Sequence, residues 1–95
     1  PVPVERSPRD EIADALGRLR ATRERRDVLA LRGLLWRSVG AGEGETLDDA
    51  LRRPAAKDPL VRTLLRSAEH AAFANDEHFQ PLVHDLIDAT ERYLQ

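Results

Sequence analysis

Three histidines, His70, His78 and His84, fall within fifteen residues, with Glu69, Asp76, Glu77, Asp85 and Asp88 beside them. Imidazole and carboxylate together are the donors of zinc and iron sites. The spacing does not build one. A ferritin-type site needs Glu-x-x-His pairs on facing helices, and no such tetrad is present. H-E-x-x-H is absent as well. His84 and Asp88 stand at i, i+4, but two ligands are not a site. These histidines read as surface groups on polar faces, and no metal is expected.

The loop Gly40-x-Gly42-x-Gly44 has the glycine spacing of a phosphate cradle. Such cradles follow a strand and open a helix. Here the loop follows a helical pattern, holds Glu43 and Glu45, and has no lysine nearby. Two acids repel a phosphate, so a flexible connector is the better reading. Ser7 reads as a helix cap. Ser67 and His70 share a helical face at i, i+3, a common surface arrangement, and no glycine elbow surrounds any serine. A carboxylate pair flanking a cleft, as hydrolysis of glycosides requires, has little room among short helices. The chain is therefore expected not to be an enzyme and to carry no cofactor, and no small-molecule ligand is identifiable from the sequence.

Charge layout is more informative. Residues 18–37 hold seven arginines against Glu24 and Asp27, whereas residues 69–91 hold six acids and no lysine or arginine. The overall net charge of −2 hides a polarised chain. One reading is that the two stretches pair inside the domain or are simply solvated. The other is that they lie on different surfaces, so that a basic patch on one copy meets an acidic patch on the next. Such a heterologous contact builds rings or open filaments. The candidate basic face is Arg18, Arg20, Arg23, Arg25 and Arg26. The candidate acidic face is Glu77, Asp85, Asp88 and Glu91. Replacing Arg23, Arg25 and Arg26 by Glu is expected to leave the fold intact and abolish assembly. Asp85→Lys with Asp88→Lys is expected to do the same, and mixing the two variants to restore pairing.

Nucleic acid is the rival partner for the arginines, because guanidinium forks suit phosphate. Against it stand the net charge, the single Lys57, the acidic C-terminal stretch and no aromatic identifiable as exposed for stacking. A nucleic-acid-binding regulator and a partner-specific scaffold subunit remain the alternatives to an assembly module.

The elements that would position these groups are helices. Leu (14) and Ala (13) dominate the 95 residues while Val, Ile and Thr are scarce, which favours helix over sandwich or barrel. Ser7, Pro8 and Asp10 form a cap, a first-turn proline and an acid in capping-box position. Ile12, Leu16 and Leu19 make one helical stripe. Residues 20–27 then lack any apolar side chain larger than Ala21, so a break or kink is expected between Arg20 and Asp27. The pattern resumes at Val28, Leu31, Leu35 and Val39, with Leu29 and Trp36 widening it; this second helix is expected to be the central, most buried one. Thr46 with Asp49 opens a short helix through Arg53, stopped by Pro54. Asp58-Pro59 starts another, with Val61, Leu64, Leu65, Ala68 and Ala72 on one face, running to about Phe73. The last helix starts between Asp76 and Gln80, since Pro81 suits only a first turn. It carries Phe79, Leu82, Val83, Leu86, Thr90, Tyr93 and Leu94 on one side, with His84, Asp85, Asp88 and Glu91 opposite.

The sum is an all-α chain: a compact bundle of five to six short helices, orthogonal or Greek-key-like, with one core. Residues 1–7, with proline at 1, 3 and 8 around them, read as a linker before a single helical interaction domain at 8–95. A processed terminus is the plainer reading of a start at Pro1. No cysteine is present, so disulfides and thiolate zinc sites are excluded. No apolar run approaches a membrane span and nothing reads as a signal peptide, which points to the cytoplasm and away from a membrane.

From Ser7 to Gln95 the chain resembles the death-fold superfamily, CARD-like domains in particular, and the helical adaptor domains appended to bacterial defence effectors. The resemblance is carried by size, helix number, the kink-prone first helical stretch, the opposed charges and the proline-bearing linker. It rests on no motif, so no functional residue is carried over. It implies a death-fold-like bundle whose partner is itself or a similar helical domain. It also implies a role in bacterial antiviral defence, where assembly gathers a neighbouring protease, pore-former or nuclease.

Overall fold

The computed structural model describes residues 7–42 and 44–95. The linker reading of residues 1–6 and the charge of Glu43 in the glycine loop lie outside the described residues. Five α-helices follow in order: α1 (Pro8–Thr22), α2 (Arg25–Ser38), α3 (Leu47–Leu51), α4 (Pro59–Ala72) and α5 (Asp76–Leu94). A single 3₁₀ turn, Pro54–Ala56, sits between α3 and α4, and no strand occurs among the described residues.

Local chemistry sets most of the helix starts. The Ser7 hydroxyl accepts the Asp10 N–H, with Pro8 in the first turn of α1. Thr46 and Asp49 form a reciprocal capping box at α3. The Asp58 carboxylate accepts the Leu60 N–H, and the Asn75 side chain accepts the His78 N–H. Each cap satisfies a donor that the helix cannot. The expected break lies at Arg23 and Glu24. Arg23 takes a left-handed conformation (φ 53°) and Glu24 is extended. The α3 helix ends two residues earlier than expected, and Pro54 opens the 3₁₀ turn.

α1, α2, α4 and α5 form a ring in that order, each packing on its two neighbours, with α1 closing against α5. The core inside includes Ile12, Leu19, Leu31, Trp36, Leu64, Leu65, Val83 and Leu86, all essentially inaccessible. Trp36 donates its indole N–H to the Glu45 carbonyl at 3.1 Å, which ties residues 44–46 over the core. Two expectations are corrected here. α2 is not the central helix: α4 is, because it also carries α3 and the 3₁₀ turn. A corner position leaves α2 an outward flank, on which Leu29 is 45% exposed. Pro81 also lies in the second turn of α5 rather than its first. It is exposed there, as is Glu77, so water can serve the Glu77 carbonyl that loses its helical donor.

Candidate protein-interaction surfaces

The ring order decides where charge can be displayed. Its edges are α1/α2, α2/α4, α4/α5 and α5/α1, so the α1/α2 and α4/α5 edges face opposite ways. Each of these two edges carries an open surface cleft.

The α1/α2 cleft is lined by Arg18 from α1 and by Arg26, Leu29, Ala30, Arg32, Gly33, Leu34 and Arg37 from α2. Among the described residues the Arg18 side chain has no ion-pair partner, and it reaches from α1 over the α2 flank. Arg26 pairs with Glu24 at 2.7 Å, and both side chains are more than half exposed. Exposed pairs of that kind hold weakly, about 0–1 kcal/mol, and yield to a better partner.

The α4/α5 cleft is lined by Leu60, Thr63 and Ser67 from α4 and Asp85, Asp88, Ala89 and Arg92 from α5. Asp88 meets Arg92 at 3.0 Å, one turn on. Asp85 is exposed and has no ion pair among the described residues. Leu60, at the start of α4, is 49% exposed.

The remaining candidate residues fall elsewhere. Arg20 and Glu91 meet at 2.5 Å across the α5/α1 edge, so a member of one candidate face pairs directly with a member of the other. Arg23 is the left-handed residue between α1 and α2; its carbonyl accepts a hydrogen bond from Gln80. Glu77 is exposed in the first turn of α5.

Arg25 has a structural task. It donates to the carbonyls of Ala72 at 2.5 Å and Ala74 at 2.6 Å, and its guanidinium lies 4.5 Å from the Phe79 ring centroid. The expectation that Arg25 can be replaced together with Arg23 and Arg26 without cost to the fold is therefore revised. Its fork satisfies the Ala72 carbonyl, which α4 leaves orphaned at its C-terminus, and the Ala74 carbonyl in the turn that follows.

Arg32, beyond the candidate set, bonds Glu69 at 2.8 Å and stacks 4.1 Å from the Trp36 ring. Phe73 lies 5.4 Å from the same guanidinium and is 66% exposed. Phe73 thus supplies the exposed aromatic that was not identifiable from the sequence: α4 ends at Ala72, and the capping residue turns outward instead of continuing the apolar face.

His70, His78 and His84 are all exposed, and no group of three or more metal-ligating side chains forms among the described residues. No helix of the described residues is long and apolar enough to cross a membrane. No family model, curated protein or solved structure matches the chain.

Proposed function

We propose that this chain is a non-catalytic protein–protein interaction module that assembles a larger effector protein through opposed basic and acidic faces, homotypically or with similar helical domains. The observation that carries the proposal is the placement of an arginine-lined cleft and an aspartate-bearing cleft on opposite edges of one small helical ring. Each cleft also exposes a leucine, and interfaces take their strength from apolar burial while charge sets partner choice and encounter rate. A death-fold-like, CARD-like adaptor acting in the cytoplasm of a bacterial defence system is the context this reading fits.

The basic face in this proposal is Arg18 and Arg26, with Arg23 at its end. The acidic face is Asp85 and Asp88. Arg20 with Glu91, and Arg25, serve the fold first. The experiment is light scattering against protein and salt concentration. The proposal expects an apparent mass that rises with concentration and falls with added salt, because screening shortens the reach of exposed charges.

Nucleic acid is the second reading, and exposed Phe73 beside Arg32 is the feature in its favour. Glu69, bonded to that same arginine, weakens it, since a carboxylate at the stacking site opposes a phosphate backbone. Retention of duplex DNA that declines steeply with salt would favour this second reading.

A further inference from the structure

We infer that the occupant of the α1/α2 cleft is a second copy of this chain, docked through its own α4/α5 cleft, and that the contact propagates rather than closes. The inference rests on the interaction-module reading above and specifies its partner and geometry. Three features point to it. The clefts are opposite in their unpartnered charge: Arg18 on one, Asp85 on the other, with weakly held Arg26 and Asp88 beside them. Both clefts carry a half-exposed leucine, Leu29 and Leu60, so charge pairing would be accompanied by apolar burial. The clefts also lie on opposite edges of the ring.

That last feature determines the assembly. A copy seated on the α1/α2 edge cannot reach the α4/α5 edge of the same molecule. No closed pair satisfies both clefts, so each contact leaves an arginine cleft free at one end and an aspartate cleft free at the other. A heterologous contact with two free ends continues to grow, as a ring if the rotation closes and as a filament if it does not.

Sedimentation velocity of the intact chain tests this, from about 10 μM to about 1 mM, a range that spans weak to moderate association. The wild type is expected to pass beyond the dimer at low salt. Arg18→Glu with Arg26→Glu caps one end, and Asp85→Lys with Asp88→Lys caps the other. Each variant alone is expected to be monomeric. Their equimolar mixture is expected to assemble beyond the dimer with the two variants alternating, because the untouched clefts pair with each other and the two reversed clefts are again opposite in charge.

Circular dichroism establishes that each variant is folded. Should a charge variant lose its helical signal, Leu29→Ser and Leu60→Ser leave every ion pair in place, and each is expected to weaken association about tenfold or more. Self-association that survives both charge variants overturns the cleft assignment and leaves the interaction-module reading standing. So does a closed wild-type dimer that stops at two chains. A wild type monomeric throughout overturns docking by a second copy and the homotypic half of that reading with it. A monomer that takes up duplex DNA through Arg18 and Arg26 overturns both.

Discussion

Arg20 and Glu91 face each other at 2.5 Å across the α5/α1 edge. The arginine-rich and acidic stretches therefore neutralise one another there, and again where Arg32 bonds Glu69 at 2.8 Å and Arg25 approaches Asp76 at 3.9 Å, while Arg18 and Asp85 have no ion pair among the described residues. Both side chains of the Arg20–Glu91 pair are about half exposed, so the pair contributes little to stability. A double-mutant cycle with Arg20→Ala and Glu91→Ala is expected to give a coupling of about 0.2–1 kcal/mol that fades with salt. The measurement is urea denaturation at two ionic strengths.

Arg25 differs from its neighbour Arg26 despite the same charge. Arg25→Ala removes the donors to the Ala72 and Ala74 carbonyls and the contact with Phe79. Hydrogen bonds from a charged donor are worth about 1.5–3 kcal/mol, and a loss of that order is expected by chemical denaturation. Arg25→Lys is expected to recover only part of it, because an ammonium lacks the fork that reaches two carbonyls. Arg26→Ala is expected to change stability by less than about 0.5 kcal/mol.

Trp36 and Leu86 are fully buried. Trp36→Ala is expected to cost about 3–5 kcal/mol and Leu86→Ala about 2–5 kcal/mol, through lost burial and the cavity left behind. For a domain of this size that is a large share of the total. Thermal unfolding followed at 222 nm reads both. The tryptophan variant should also loosen residues 44–46, since it loses the bond to the Glu45 carbonyl.

Asn75 separates α4 from α5 by capping the latter through the His78 N–H at 3.0 Å. Asn75→Ala is expected to lower stability by about 0.5–2 kcal/mol, and Asn75→Asp to retain most of the cap. Denaturant midpoints at constant slope distinguish the two.

What could be read from the sequence is what is decided locally. Ser7, Thr46 with Asp49, Asp58-Pro59 and Asn75 mark helix boundaries because each acts on backbone two or three residues away. The break at 23–24 was legible because a run without large apolar side chains cannot hold a helix against a core. The partition of the arginines was not legible. Arg25 finds its acceptors 47 and 49 residues on, Arg32 its carboxylate 37 residues on, and Arg62 the Leu51 carbonyl 11 residues back. Nothing in the spacing of the run Arg23-Glu24-Arg25-Arg26 distinguishes an arginine that caps a distant helix from one that faces water; Arg25 and Arg26 are adjacent and differ only by the turn of α2. The same limit applies to Leu29 and Trp36. Both widen the apolar face of α2, yet Trp36 is enclosed and Leu29 lies on the outward flank, because ring order is a tertiary fact.

The account centres on two clefts of opposite sign that recognise each other. The most direct measurement places all four reversals, Arg18→Glu, Arg26→Glu, Asp85→Lys and Asp88→Lys, in one chain and follows its mass by sedimentation. With both clefts inverted, complementarity is restored, so this chain is predicted to assemble with itself and to exclude the wild type. An inverted chain that is folded yet stays monomeric where the wild type assembles would contradict the account.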